Sequence, residues 1–343
     1  MRKKILIAVI ITAVVAISVV GLAACDPYAD YDYAIAVIQP VSHDALAKTY
    51  DGLRDSLTEK MQAAGKTIYF DFQNANGSET EQVSIIESFV NKKPDIIYAI
   101  ATAAANTAAQ KTYGTDVKVI FNAVTDPTLE SAKIVADWNN PGANVTGVSD
   151  MNPVALQLQV MKYLMGNTND FKIGVLYTSS EPNSITQSDM LIAECLEQGI
   201  ISSKEQVVVK TISLASDITS ALFTSFKNEG VDILYLPTDN LIANSAGVVH
   251  EENRRDAKLP IVCGESSMNS LCGIATVSVD YYQLGVIAAD MAYDILINGK
   301  DTATMPVRMQ NSGFEYTISN NIAEQIGFTI PDGLEDYLEE LVA

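Results

Sequence analysis

Residues that could bind a charged small molecule lie where two short apolar runs of this 343-residue chain end. The side chains that follow the runs 95–100 and 118–121 are small or polar: Thr102, Ala103, Ala104, Asn122, Thr125 and Asp126. Continuous apolar runs of this length predict buried strands of a parallel sheet. We interpret Thr102 as the N-cap of a helix whose first free N–H groups could hold an anion without Arg or Lys.

Thr102 and Asp126 also suit a purely structural role. Thr and Asp are both common helix caps, and Asp126 followed by Pro127 is a good helix start in its own right. Taken alone, this stretch favours capping over ligand binding.

Signals for catalysis are weak. The only histidines, His43 and His250, have no nucleophile paired with them by spacing. The segment 264–268 (Gly-Glu-Ser-Ser-Met) imitates a nucleophile elbow, but Met268 stands where the last glycine is required. There is no phosphate-binding loop, dinucleotide fingerprint or His/Cys cluster. The sequence therefore predicts a protein that is not an enzyme and that needs no cofactor or metal.

The charge of the chain argues against nucleic acid as a partner. The formal net charge is -20 at pH 7, whereas phosphate binding needs clustered Lys and Arg. The pair Arg254-Arg255 lies among acidic residues instead.

The N-terminus indicates export. Three basic residues at 2–4 precede an apolar stretch at 5–20 and the sequence Leu-Ala-Ala-Cys that ends at Cys25. This pattern predicts a signal peptide at 1–24, and the Cys resembles the lipidated cysteine of bacterial lipoproteins. The alternative is a plain transmembrane anchor. We expect acylation, including palmitate, at Cys25 to hold the chain on the outer face of the cytoplasmic membrane.

Three further cysteines are present: Cys195, Cys263 and Cys272. The last two could pair, but spacing cannot test the geometry that a disulfide requires. We expect all three to be buried thiols.

Hydrophobic periodicity predicts two similar halves of alternating strands and helices. The predicted elements of the first half are strands 33–39, 67–72, 95–100, 118–121 and 144–148, with helices 45–64, 79–91 and one from 102. Those of the second half are strands 172–177, 206–212, 231–236, 259–262, 274–279, 305–309 and 314–318, with helices 151–165, 184–197, 218–228, 240–253, 281–296, 321–326 and 334–343. The fold class is α/β, with two doubly wound parallel sheets.

Ligands of such sheets bind beyond the carboxyl ends of the strands, here in a cleft between two halves. The residues predicted to bind a ligand there are Gln39, His43, Thr102, Ala103, Ala104, Asn122, Thr125, Asp126, Tyr177, Asn183, Ser184, Asp239, Asn240 and Glu265.

Seven segments in this order resemble the ABC-transporter substrate-binding lipoproteins of the tryptophan/tyrosine uptake type. They are Ile38-Gln39 with His43, 101–104 (Ala-Thr-Ala-Ala), 121–127 (Phe-Asn-Ala-Val-Thr-Asp-Pro), 141–148 (Pro-Gly-Ala-Asn-Val-Thr-Gly-Val), 177–184 (Tyr-Thr-Ser-Ser-Glu-Pro-Asn-Ser), 238–240 (Thr-Asp-Asn) and 280–285 (Asp-Tyr-Tyr-Gln-Leu-Gly). The chain departs from the family at Asp44 and Ala103, where proline is usual.

The resemblance implies a type I periplasmic-binding-protein-like fold whose two lobes close on a small molecule. The expected division is a tether at 25–32, lobe 1 at 33–149 plus 280–300, and lobe 2 at 150–279 plus 301–343. Three crossings would lie near 148–149, 279–280 and 299–300. The implied protein is a monomer that delivers its ligand to an ABC permease.

Aromatic or apolar amino acids are the ligand class that the resemblance implies. We expect the ligand carboxylate at the helix start, near the N–H groups of Ala103 and Ala104 and the hydroxyl of Ser184. The ammonium needs a carboxylate, and Asp239 is favoured over Asp126, although Asp239 could instead cap the next helix. The alternatives are a sugar- or signal-binding protein on the same fold or, less favoured, a surface hydrolase.

Overall fold

The computed structural model describes residues 27–42, 44–129 and 133–342. These residues form two α/β lobes, each built around a parallel sheet. The predicted signal peptide, Cys25 and His43 lie outside the described residues.

The first lobe contains six parallel strands in the order β11-β5-β4-β3-β1-β2. They are β1 Tyr33–Gln39, β2 Ile68–Asn74, β3 Ile96–Ile100, β4 Lys118–Asn122, β5 Val145–Ser149 and β11 Arg308–Met309. The helices of this lobe are α1 Asp44–Ala63, α2 Glu79–Lys92, α3 Thr102–Thr112 and α10 Tyr281–Leu296. Alternate side chains of β1 pack on opposite faces, Ile35 and Val37 against α1 and α10, and Ala36 and Ile38 against the other helices. Burial on both faces explains why the inner strands β1, β3 and β4 read as nearly continuous apolar runs.

The second lobe has a four-stranded parallel sheet in the order β7-β6-β8-β9 and a two-stranded antiparallel sheet of β10 and β12. Its strands are β6 Ile173–Thr178, β7 Val208–Ile212, β8 Ile233–Leu236, β9 Ile261–Cys263, β10 Ala275–Ser278 and β12 Glu315–Ile318. Its helices are α4 Val154–Leu164, α5 Pro182–Glu197, α6 Ser220–Asn228, α7 Asn240–Asn244, α8 Ala246–Arg255, α9 Ser266–Cys272, α11 Asn320–Ile326 and α12 Leu334–Val342.

Helices α1 and α10 pack closely at two glycines. A Cβ atom on Gly285 would lie 2.3 Å from the Thr49 carbonyl oxygen, and one on Gly52 would lie 2.1 Å from the Tyr282 carbonyl oxygen. Only glycine allows the two backbones to approach so closely. This contact holds the start of α10, which lines the cleft, against the first lobe.

The predicted lobe boundary near residue 300 differs from the structure. The predicted strand 305–309 is reduced to β11, which pairs in parallel with β5 at Val148 and Ser149 rather than joining the second lobe. The Thr146 hydroxyl donates to the Met305 carbonyl oxygen (2.8 Å), which keeps this segment on the first lobe. The chain therefore makes its last crossing between β11 and β12. Local pattern could not reveal this because the partner strand lies about 160 residues away in sequence.

The predicted tether also packs on the first lobe over its described part. Tyr28 is buried, and its hydroxyl donates to Asp71 (3.0 Å). The Asp32 carboxylate accepts a hydrogen bond from the Thr67 N–H (2.8 Å) and pairs with Lys66 (3.0 Å). Tyr28 and Asp32 therefore hold the described part of this segment against the first lobe.

Three helical features differ from what the sequence predicted. The predicted helix 240–253 is two helices that meet at Ser245, and the helix Ser266–Cys272 was not predicted. No helix follows Asp126 within the described residues: its carboxylate accepts from the N–H and hydroxyl of Thr128 (2.9 and 2.6 Å), forming a turn. Across the described ranges, no helix is both long and apolar enough to span a bilayer.

Candidate ligand-binding site

A cavity lies between the two lobes at the carboxyl ends of their strands. It is lined by first-lobe residues Leu46, Ala101, Thr102 and Ala123, by Asp150 and Tyr281 at the crossings, and by second-lobe residues Asn183, Thr238, Asp239, Asn240, Ala243 and Glu265. Its volume is about 10 Å³, enough for roughly one water molecule. An amino acid would fit only if the walls moved apart.

The first-lobe wall contains the start of helix α3. The N-cap is Ala101 rather than the predicted Thr102, and it makes no side-chain cap hydrogen bond. Ala101 has φ 69° and ψ 160°, a backbone conformation that residues other than glycine rarely adopt. The helix start thus turns toward the cavity, where its first N–H groups and the positive end of the helix dipole suit an anion.

Ala123 ends the neighbouring strand in a similar way. It also has positive φ (56°), and its N–H donates to Asn122 Oδ1 (2.6 Å). Asn122 is buried behind the cavity, and its Nδ2 donates to the Tyr98 hydroxyl (2.6 Å). Asn122 therefore supports the cavity wall through Ala123 and is not itself part of the lining.

Asp150 is a buried carboxylate that the sequence analysis did not select. It is 2% exposed, and it accepts hydrogen bonds from the Thr125 hydroxyl (2.9 Å) and the Tyr281 hydroxyl (3.0 Å). None of the ion pairs in the described ranges includes Asp150. Burial raises its pKa, as is usual for a carboxylate without a cationic partner. A cation in the cavity would supply that partner.

The sequence contained a signal for Asp150. It lies two residues after the end of the predicted strand 144–148, at the same sheet edge as the selected residues, and Tyr281 lies within the Asp-Tyr-Tyr-Gln-Leu-Gly segment. The pairing of the two side chains, 131 positions apart, could be seen only in the folded chain.

Asp239 lines the cavity but is already saturated with donors. One oxygen accepts from the Thr178 N–H (2.7 Å) and the Ser184 hydroxyl (3.0 Å). The other accepts from the Thr178 hydroxyl (2.9 Å) and, as N-cap of helix α7, from the Ile242 N–H (3.0 Å). The capping role considered for Asp239 is therefore present. Its predicted role as the ammonium partner remains a prediction, and the geometry favours Asp150.

Asn183 carries an acceptor that the protein does not use. Its Nδ2 donates to the Thr238 carbonyl oxygen (2.6 Å), while the buried Oδ1 has no hydrogen-bond partner. Because Asn183 lines the cavity, a ligand N–H group could satisfy this oxygen.

Gln187, also absent from the predicted set, bridges the lobes. Its Nε2 lies 3.4 Å from the Thr125 hydroxyl oxygen in the first lobe, and its Oε1 accepts from the Thr238 N–H (3.0 Å) in the second. Asp150 and Gln187 thus share Thr125, which ties the crossing to both lobes.

The predicted residues separate into groups. Thr102, Asn183, Asp239, Asn240 and Glu265 line the cavity. Those that do not line it are Gln39, Ala103, Ala104, Asn122, Thr125, Asp126, Tyr177 and Ser184. One member of this second group, Ser184, contacts the carbonyl oxygen of the cavity residue Thr238 (2.8 Å).

An acidic side chain next to the cavity titrates near neutrality. Burial, and next the charge of Asp239, raise the pKa of Glu181 to about 7. Its carboxylate accepts from Asn240 Nδ2 (3.1 Å). The protonation state of Glu181 therefore changes near neutral pH, next to the cavity residue Asn240.

The described residues hold no metal-binding cluster, and the serines and the histidine considered for hydrolysis have other partners. No group of three His, Cys, Asp or Glu side chains in residues 27–42, 44–129 and 133–342 could hold a metal ion. The Ser266 hydroxyl pairs with Ser278 (2.8 Å) and the Ser267 hydroxyl donates to Glu265 (3.0 Å), whereas His250 contacts Gln325 (2.6 Å).

Comparison with known proteins gives the family. The family profile described as ABC transporter substrate binding protein matches residues 34–342. The chain belongs to this family. Its members bind a small molecule and work with an ABC transporter outside the cytoplasm.

Several relatives are similar over most of the substrate-binding protein. A "Tyrosine-binding protein" of Clostridioides difficile is 35% identical over 273 residues, which cover 80% of this chain and 75% of the relative. A Streptococcus pneumonia domain solved in complex with L-Trp is 33% identical with a TM-score of 0.77, covering 89% of this chain and 97% of that one. These similarities confirm the predicted family and its type I fold.

Two further solved structures are similar to this chain. A Vibrio cholerae protein is 31% identical, with a TM-score of 0.76 over 89% of this chain and 97% of that one. A ligand-free, open substrate-binding protein from Clostridium difficile is also 31% identical, but its TM-score is 0.67 over 88% of this chain and 97% of that one. Sugar-binding proteins match at 16% identity or below, which shows only a shared fold.

Proposed function

We propose that this protein is a lipid-anchored binding protein that captures an aromatic or apolar amino acid and delivers it to an ABC permease. The observation that carries the proposal is the pairing, in one cavity, of an uncapped helix start with a buried carboxylate that lacks a cationic partner. A zwitterionic amino acid brings one group for each. The ligands named for the relatives, tyrosine and L-Trp, support the same class.

The ligand carboxylate would lie at the start of helix α3. There the N–H groups of the first turn receive no side-chain cap, and no Arg or Lys lines the cavity. A carboxylate binds such a helix end through backbone N–H groups and the helix dipole. Small side chains at Ala101 and Ala123 leave room for the close approach of the ligand.

The ligand ammonium would lie between Asp150 and Asn183. Asp150 supplies the compensating charge at the crossing, and the Asn183 Oδ1 supplies a neutral acceptor from the second lobe. Because the helix start that would hold the carboxylate belongs to the first lobe and Asn183 to the second, a bound amino acid would pull the lobes together. The further predicted residues, His43 among them, remain candidate ligand contacts.

Lobe closure would occur about the three crossings, with the last between β11 and β12. The signal peptide at 1–24 and lipid on Cys25 would place the protein on the outer face of the cytoplasmic membrane, where we expect it to act as a monomer without turnover. The sequence at 22–25 supports this anchor.

A thermal-shift screen tests the ligand class. The twenty amino acids, with glucose, galactose and myo-inositol as the competing class, are added to the purified protein. A ligand that binds only the folded state raises the melting temperature. We expect L-tryptophan, L-tyrosine or another apolar amino acid to do so, with calorimetry confirming one site. A shift by a sugar alone would refute the amino-acid proposal.

A further inference from the structure

Two cysteine thiols lie side by side in the interior of the second lobe. Cys263 ends strand β9, Cys272 ends helix α9, and their Sγ atoms are 3.7 Å apart. Both thiols are free here, and their residues are 0% and 1% exposed. A disulfide needs the sulfurs to approach to about 2.05 Å, so the required movement is less than 2 Å, within reach of side-chain rotation.

The backbone around this pair is held in place on both sides. The Gly264 N–H donates to the Leu236 carbonyl oxygen (2.6 Å), and the Gly273 N–H donates to the Asn269 carbonyl oxygen (2.8 Å). A Cβ atom on Gly273 would lie 3.1 Å from Cys263 Sγ. The sulfurs are therefore brought together by fixed main-chain positions at both ends of the segment.

We propose that Cys263 and Cys272 form an intramolecular disulfide in the exported protein. The bond would be made during folding by an oxidant that itself contains a disulfide. The bond would close a ring over residues 263–272, which includes Glu265 of the cavity wall and all of helix α9. It would thus hold one wall of the ligand cavity covalently against strand β9. The oxidising setting rests on the proposed export, since disulfides are common outside the cytoplasm.

The chemistry is ordinary thiol–disulfide exchange. One cysteine thiolate attacks the oxidant disulfide, which forms a mixed disulfide and releases one oxidant thiolate. The second cysteine thiolate then attacks the protein sulfur of the mixed disulfide, which forms the Cys263–Cys272 bond and releases the second oxidant thiolate. The protein loses two electrons and two protons, and the oxidant gains two electrons and becomes two thiols.

Burial determines when the exchange can occur. Burial, and next the neighbouring Cys272, raise the pKa of the Cys263 thiol, so little of the reactive thiolate exists in the folded protein. We therefore expect the bond to form before folding is complete. Once formed, it should resist reduction unless the protein is unfolded.

Peptide mass spectrometry tests the bond in the full chain. The protein is unfolded and refolded with oxidised glutathione, unfolded again, treated with iodoacetamide and digested with trypsin. Cys263 and Cys272 fall in one peptide, 259–300, and Cys195 falls in another, 173–204. We expect peptide 259–300 to be unalkylated and about 2 Da lighter than the same peptide with two free thiols, while the Cys195 peptide carries one label. Alkylation at both Cys263 and Cys272 would overturn the proposal.

Matched variants distinguish this pair from Cys195. Cys195→Ser should keep the light peptide, whereas Cys263→Ser should lose it. The oxidised wild type should also melt a few degrees above the reduced wild type, a difference that Cys263→Ser abolishes. Because refolding with glutathione needs no export, failure of the disulfide would leave the proposed transport function untouched, and failure of the ligand screen would leave the disulfide untouched.

Discussion

Replacing Asp150 by asparagine removes the charge proposed to face the ligand ammonium. The carboxylate is 2% exposed, and its two side-chain partners are neutral hydroxyls. Loss of one member of a buried charge pair costs about 3–5 kcal/mol, which corresponds to roughly two to three and a half decades in Kd. We expect Asp150→Asn to weaken amino-acid binding by that factor in isothermal titration calorimetry with L-tryptophan or L-tyrosine, whichever shifts the wild type more.

The ligand-free Asp150→Asn protein should melt close to the wild type. The amide oxygen can still accept one hydroxyl hydrogen bond, and the variant lacks the carboxyl group whose charged form is disfavoured by burial, the effect that raises the pKa of Asp150. Near-normal affinity in this variant would refute the assignment of Asp150.

Two asparagine variants serve as controls for Asp150→Asn. Asp126→Asn lies outside the cavity and should bind as the wild type does. Asp239→Asn places an amide N–H group against the Thr178 or Ile242 N–H, so it should lose about 1–3 kcal/mol of stability. If Asp126→Asn abolished binding in a stable protein, the ammonium site would move there.

Three other predictions concern pH, motion and anchoring. Because the pKa of Glu181 is raised from 4.5 to about 7, the folded protein retains a proton that the unfolded chain has lost between these values; stability should therefore fall as pH rises through this window, by up to about 3 kcal/mol. Glu181→Gln should melt at a higher temperature than the wild type at neutral pH and at the same temperature as the wild type at about pH 4. If the two proteins melted at the same temperature at both pH values, the raised pKa of Glu181 would be contradicted. X-ray scattering with saturating ligand should show the more compact form, and an unchanged profile with and without a verified ligand would argue against closure. Cys25→Ser should take up no labelled lipid, and label on that variant would disprove anchoring at Cys25.

Local sequence determined much of this fold. Strand Tyr33–Gln39 and helix Tyr281–Leu296 have the predicted bounds, because a buried parallel strand and a helix with an Asp280 cap carry their signals within their own residues. The order of apolar runs and polar strand ends indicated a two-lobed α/β protein with a cleft, and the quoted segments indicated its family.

Only the tertiary structure decided which polar residues share the cavity. Asp150 and Asp239 both follow strands, yet one keeps only two hydroxyl partners while the other is enclosed by its own lobe. Likewise, β11 joins the first lobe through a strand far away in sequence. Contacts of this kind depend on how distant segments meet. A sequence pattern records the preference of each segment and not the partner that it finds.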